Sequence, residues 1–188
     1  MLAVRIERDL LGEKEVPIDA YYGIQTIRAK ENFPITGYTP HPTLIKALAM
    51  VKKASAQTNI ELGLLDKKIG SAIIEASEEV IKGKFDDQFI VDVIQGGAGT
   101  SLNMNANEVI ANRAIEILGG KKGNYFLVSP NTHVNMAQST NDVFPTAIRI
   151  AILTLVEGFY KELTALEESF NKKAKEFDDV VKVGRTHL

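Results

Sequence analysis

Apolar and polar positions along the chain change period several times, and each change marks an element. Val4 to Glu7 (VRIE) alternates apolar and charged residues at period two. After Gly12 a second short extended stretch runs to Pro17, so the N-terminus predicts a small β-hairpin. AYYGIQTIRAKENF then predicts a short helix carrying Tyr22, Ile24, Ile27 and Phe33. Behind it, PITGYTPHP holds too much proline and glycine for regular structure and reads as a lid or a crossing segment.

Helical periods dominate the rest. Pro42 sits where a first helical turn tolerates a missing N–H, and Leu44, Leu48, Val51 and Leu62 recur on one face until Gly63. Asp66 is placed to cap a second helix, with Ile69, Ile73, Ala76 and Val80 on its inner face and Gly83 as its left-handed stop. NANEVIANRAIEIL predicts a third helix, with Val109, Ile110, Ala114, Ile117 and Leu118 inward and Gly119-Gly120 as its end. From about Asn141 to Phe177, Ile148, Ile152, Leu155, Phe159, Leu163, Leu166 and Phe170 form a sustained stripe. A helix of roughly 35 residues is about 50 Å long, more than a small domain needs, which predicts a place in a helical bundle. Only VVKVGRTHL follows it, so the stripe's partner helices are expected outside this chain, and the chain reads as truncated relative to its functional parent. The expected fold class is mainly α: an N-terminal helical domain with a small β-hairpin (1–138), then the first long helix of a truncated central helical bundle (139–188).

Composition narrows the function. The chain has 188 residues, 45% hydrophobic and 24% charged, as in ordinary soluble globular proteins. Its 22 basic and 24 acidic residues give a net charge of −2, which provides no field for nucleic acid or an anionic membrane. Charged residues stand where a signal peptide needs an apolar core, and the expectation is a cytoplasmic protein with neither nucleic-acid nor membrane partners. The absence of cysteine rules out disulfides, a thiol nucleophile and a cysteine zinc site. His41, His133 and His187 are isolated, so no metal is expected.

Three polar clusters carry candidate chemistry. In QGGAGTSLNMNANE (95–108), glycines let the backbone approach a ligand closely, and Thr100 and Ser101 place hydroxyls just ahead of a helix. It lacks the lysine of a nucleotide P-loop, and its alternatives are an anion cradle or a glycine-rich turn with a Thr or Ser cap. In HVNMAQSTNDVFPTA (133–147), one reading has Thr140 or Asn141 capping the long helix while Gln138 and Ser139 are merely solvated. The other makes the same helix N-terminus, with its free N–H groups, a carboxylate pocket completed by hydroxyl and amide side chains. In GRTHL (184–188), Arg185 is suited to clamp an acid and Thr186 with His187 to bind or exchange protons with a substrate, against a plain surface role.

Taken in order, QGGAGTS with NMNANEVIANRA, SPNTHVNMAQSTND with FPTA, and GRTHL resemble the N-terminal motifs of the class II fumarase/aspartase family. The resemblance covers essentially the whole chain. It leans to the aspartase branch: YYGIQTIRAKENFPITG stands where fumarases usually show WGAQTQR, and QGGAGTS and QSTND where they tend toward QTGSGTQ and QSSND. The SRND-like spelling of more distant relatives that cleave succinylated substrates is absent. The resemblance implies a homotetramer with a central helical bundle, sites shared among three chains, L-aspartate and fumarate as substrate and product, and no required cofactor. By position it implies that Thr100, Ser139 and Thr140 bind the β-carboxylate and that Asn141 lies near the amino group. Thr186 and His187, from a neighbouring chain, then hold the other end of the substrate. The family's general-base serine belongs to a GSSxMPxKxN loop expected beyond Leu188, so none of the 188 residues is expected to be that base and the isolated chain is expected to be inactive.

Overall fold

The computed structural model describes residues 3–187. Strands β1 (Val4–Asp9) and β2 (Gly12–Pro17) pair antiparallel from Val4↔Pro17 to Asp9↔Gly12, closing on the two-residue turn Leu10-Leu11. Helix α1 (Ile24–Asn32) follows, and its N-terminus has no side-chain cap of its own because Gly23 occupies that position. The cap comes from elsewhere in the chain. The Glu108 carboxylate accepts the amides of Gly23 (2.8 Å), Gln25 (2.9 Å) and Thr26 (3.0 Å) and the Thr26 hydroxyl (2.6 Å), while Glu7 takes the Ile24 amide (2.8 Å). Two carboxylates thus satisfy the four orphan donors of a helix start whose dipole also favours negative charge. Burial pushes the Glu108 carboxyl up and the bonds from Thr26, Gln25 and Gly23 oppose that shift. Tyr125 donates to Glu7 (3.1 Å) from the same pocket, its phenol held well above its ordinary pKa by burial and by the two carboxylates. The space is filled: a Cβ on Gly23 would lie 2.3 Å from the Tyr125 hydroxyl, 2.7 Å from Glu7 and 2.8 Å from Glu108.

Helices α2 (Pro42–Glu61), α3 (Lys67–Ile81) and α4 (Thr100–Ile117) form the core, around Ile45, Leu48, Ile73, Val80, Ile110 and Ile115. Pro42 opens α2 behind an N-cap at His41, and Asp66 caps α3 by accepting the amides of Lys68 and Ile69, as the spacing predicts. Gly63 and Gly83 both adopt positive φ just past the ends of α2 and α3. Leu62 departs from expectation: it falls beyond the last turn of α2 and is 66% exposed, and the buried face of α2 runs instead through Ile45, Leu48, Lys52, Ala56 and Asn59. Helix α4 starts five residues earlier than NANEVIANRAIEIL suggests, because a residue outside it, Gln95, accepts the Leu102 amide at 2.7 Å.

The proline-rich stretch after α1 is a tied-down crossing segment. Asp92 accepts the amides of Thr36 (2.7 Å) and Gly37 (2.8 Å) and the Thr36 hydroxyl (2.8 Å), together with the Ile94 amide (2.8 Å). Desolvation pushes the Asp92 carboxyl up, but the donors from Ile94, Gly37 and Thr36 outweigh it and hold the group well below the usual carboxylate range.

The chain divides into two units, Met1–Ala151 and Ile152–Leu188. Helix α5 (Thr140–Glu176) begins in the first, where Val143, Ala147 and Ala151 are buried, and continues through the second. In the second unit Ile152, Leu155, Phe159, Leu163, Leu166 and Phe170 are all more than two-fifths exposed. An 18-residue window of α5 reaches a mean hydropathy of 1.4, enough by length and composition alone to cross a bilayer. That apolarity lies on a stripe, interrupted by Arg149, Glu157, Lys161 and Glu162.

Replacing Glu108 by Gln turns donors against the α1 amides, and Gly23→Ala forces a methyl into the filled pocket. Each change is expected to destabilise the first unit by about 2–4 kcal/mol, read as a drop in Tm of several degrees. For Asp92, the folded pKa lies below its unfolded value, so its stabilisation is present above about pH 4 and is lost as pH falls further. Asp92→Asn should therefore lower Tm at pH 7, with the gap to the parent closing below about pH 4 in pH-resolved melting curves.

Candidate functional site

The loop before α4 is built to hold backbone in place. Gln95 donates from Nε2 to the Asp92 carbonyl (3.0 Å) while its Oε1 accepts from Leu102, fixing both ends of QGGAGTS. Gly97 and Gly99 take positive φ (69° and 82°), conformations strained for other residues. At Gly99 there is a second reason for glycine: the Phe144 ring from α5 lies against it, and a Cβ there would sit 2.4 Å from ring atoms. Thr100 and Ser101 form the first turn of α4 and line a groove of about 540 Å³ with Gln25, Arg28, Phe33 and Met104. Arg28 is held there by a bidentate pair with Asp9 (2.8 and 2.9 Å).

At the start of α5 the cap is Ser139 rather than Thr140 or Asn141. Its Oγ accepts the Asn141 amide (3.2 Å), and its carbonyl accepts the amides of Asp142 (3.1 Å) and Val143 (3.0 Å). Thr140 instead turns its hydroxyl to Asn103, whose Nδ2 donates to it at 3.1 Å. Asn103 stands one turn along α4 from Thr100, so the Asn103–Thr140 bond and the Gly99–Phe144 contact join the first turns of α4 and α5. The sequence-named residues Thr100, Ser139, Thr140 and Asn141 therefore belong to two helix N-termini fastened to each other. Ser139 and Asn141 are exposed, as is Thr100. Thr186 and His187 lie in the second unit, both exposed, on the non-helical segment after α5; Leu188, which completes GRTHL, lies outside the described residues.

Gln138, solvated in one of the two readings of its cluster, is an anchor. Its Nε2 donates to the carbonyls of Val134 (2.9 Å) and Met136 (3.2 Å), and its Oε1 accepts from Lys52 Nζ (2.9 Å). Asn135, just past the π-helical turn Pro130–Val134, accepts at a single Oδ1 from Lys52 (2.9 Å), Asn103 (3.2 Å) and Asn107 (3.2 Å). Between Asn135 and Gln138, Ala137 takes φ 56°, unusual for a residue with a side chain. Lys52 is fully buried, and burial alone pulls its pKa down to about 7. The Oδ1 atoms of Asn103 and Asn107 are buried without a hydrogen-bond partner among the described residues.

Sequence reading missed this network, though two signals point to it. Lys52 falls on the buried face of α2, three or four residues from each of Leu48, Ala49 and Ala56. On α4, Asn103, Asn105, Asn107 and Asn112 all sit inside a helix, where asparagine is a poor former unless its amide is engaged. Chemically, the joined helix starts present hydroxyls, amides and dipole positive ends, with buried Lys52 behind them, Asp142 exposed in the first turn of α5, and no cluster suited to hold a metal ion among the described residues. That set suits a carboxylate, and suits it better as its charge grows.

The chain is similar to known proteins along nearly its whole length. A family model described as Lyase matches residues 12–188. Aspartate ammonia-lyases from a Bacillus species and from Bacillus subtilis (strain 168) are 64% and 61% identical over 98% of this chain, which spans only 40% and 39% of their lengths. Among solved structures, a protein titled fumarate lyase:delta crystallin from Brucella melitensis superposes with a TM-score of 0.88 at 51% identity, covering 99% of this chain and 44% of that one. Class II fumarase from Schistosoma mansoni superposes with a TM-score of 0.81 at 39% identity, over 98% of this chain and 39% of its own. With a match across 12–188 and a fold shared with these structures, the chain belongs to this lyase family.

Proposed function

We propose that the chain is the N-terminal part of an aspartate ammonia-lyase, which converts L-aspartate reversibly to fumarate and ammonia. The observation that carries this reading is the fastening of the α4 start to the α5 start, which gathers neutral donors at two positive helix ends. Aspartase relatives at 64% and 61% identity support the choice of substrate. In this reading Thr100, Ser139 and Thr140 receive the β-carboxylate, Asn141 lies near the amino group, and Thr186 and His187 serve a site of a neighbouring copy.

The proposed chemistry explains the residue types. Removing a Cβ proton beside a carboxylate builds an aci-carboxylate dianion, and preorganised donors lower its energy more than that of the ground state. The substrate's carboxylate is then its own electron sink, so no cofactor is required for the bond-breaking step. Proton abstraction is assigned to a serine outside these 188 residues, which contain no GSSxMP-like segment. The exposed stripe of α5 is assigned to a helical bundle of a homotetramer, with residues 1–138 as the N-terminal domain and 139–188 as the start of the bundle. Its interleaved charges favour that packing over a membrane span and accord with a cytoplasmic enzyme.

Class II fumarase is the second reading, since hydration of fumarate passes through a similar dianion and the Schistosoma mansoni fumarase shares the fold. A non-catalytic helical assembly module is the third. Fumarate absorbance, followed from L-aspartate and L-malate in parallel with the reading frame extended to its natural stop codon, separates them. Turnover of aspartate alone is expected; malate alone assigns a fumarase, and neither assigns a module. Ser139→Ala or Thr140→Val should lower kcat/KM by roughly 100- to 1,000-fold, beside a loss of about 1 kcal/mol of stability from the cap or the Asn103 bond. The isolated 188-residue chain should show no turnover.

A further inference from the structure

The Lys52 ammonium has no part in the chemistry above, yet its network reaches the turn before α5 and, through Asn103, the Thr140 hydroxyl. Lys52 comes from α2, its acceptors Asn135 and Gln138 flank the left-handed Ala137, and Asn103 shares Asn135 with it while bonding Thr140. A buried ammonium normally has a carboxylate beside it. Here its hydrogen-bond partners among the described residues are neutral amides. Charged and titratable groups on the surrounding elements are Lys67, Lys68, Glu75, Glu78 and Glu79 of α3, Glu108, Arg113 and Glu116 of α4, His133 of the π-helical turn and Asp142 in the first turn of α5. Glu78 pairs with Lys53, Glu79 and Glu116 with Arg113, and Glu108 with the α1 amides; among the described residues none of these groups pairs with Lys52.

Resting on the reading of the site as a dicarboxylate site, we propose that Lys52 is a positioning residue for it. Its ammonium holds the 135–138 turn and, through Asn135 and Asn103, the Thr140 hydroxyl, and loss of that charge loosens the donors and weakens dicarboxylate binding. Two features give this consequence. The ammonium donates charge-assisted hydrogen bonds to the Asn135 and Gln138 oxygens, stronger than those a neutral amine gives to the same two acceptors. The ammonium is also the uncompensated positive charge behind the two helix starts, so a bound anion favours it.

The sign follows from burial. With a pKa of about 7 in place of the ordinary 10.5, Lys52 is charged below neutrality and neutral above it. A dicarboxylate that prefers the charged form must then bind with proton uptake above pH 7, and its affinity falls as pH rises.

The test uses the full-length protein and succinate, a dicarboxylate that cannot be deaminated, titrated calorimetrically at pH 6.5 and 8.5. If the bound anion raises the ammonium's pKa by about one, the parent's Kd weakens roughly sixfold between these pH values. Lys52→Met removes the titrating group, and Gln138→Glu gives it a carboxylate that keeps it charged; both should flatten the profile to less than about twofold. The Glu variant keeps the acceptor for Lys52 but loses the Nε2 bonds to Val134 and Met136, and because it keeps the ion that the Met variant removes it guards against a simple folding defect in the latter. Hydrogen exchange at the Asn141–Val143 amides, corrected for intrinsic rates, gives a ligand-free reading of the same turn. Its protection should fall from pH 6.5 to 8.5 in the parent and stay constant in both variants. Both variants keeping the parent's slope in either measurement overturns the proposal. If the parent binds no succinate at either pH, the dicarboxylate reading is what fails, and the exchange profiles decide the role of Lys52 by themselves.

Discussion

One amide oxygen, Oδ1 of Asn135, accepts hydrogen bonds from Lys52, Asn103 and Asn107, and with it α2, α4 and the turn before α5 are locked together. Few contacts constrain a fold as tightly as a buried polar node. Lys52, Asn103 and Asn107 are buried, so a donor of theirs that loses the Asn135 oxygen incurs a desolvation cost. An apolar contact between the same helices would tolerate a slip of an ångström. The Asn135 node does not, and the residues immediately after it are those that hold Ser139 and Thr140. The Asn103–Thr140 bond passes the constraint on to the start of α5, and the Phe144 ring against Gly99 passes it to the loop before α4.

The first unit uses buried polar groups in two contrasting ways. Around α1, carboxylates meet backbone N–H groups: Glu108 and Glu7 satisfy a helix start that has no cap of its own, and the result is a closed, fully bonded pocket. Around α5, Lys52 meets amide oxygens among the described residues, and in the proposed function the adjoining helix starts face a ligand. The first arrangement spends its helix dipole on protein carboxylates. The second leaves its dipoles available, which is the property an enzyme needs if its task is to stabilise charge that appears only in the transition state.

Features encoded within a few residues were legible from sequence. Asp66 as a cap, Pro42 in a first turn and Gly83 as a left-handed stop depend on neighbours in the chain, and spacing is enough to find them. Features set by distant partners were not. The start of α4 was placed late because its cap, Gln95, lies outside the periodic segment. Leu62 matched the period of α2 yet fell past the helix end, and the true inward face included a lysine that a hydrophobic count passes over. Motif spelling named Thr100, Ser139, Thr140 and Asn141, but gave no hint that Asn103 and Phe144 join their helices, or that Gln138 looks inward to Lys52.

The central claim is that a carboxylate sits where α4 and α5 begin. A crystal structure of the full-length protein with succinate tests it directly. The account predicts one succinate carboxylate within hydrogen-bonding distance of the Thr100, Ser139 and Thr140 hydroxyls. Succinate bound elsewhere, with those three hydroxyls bonded only to protein, would contradict it.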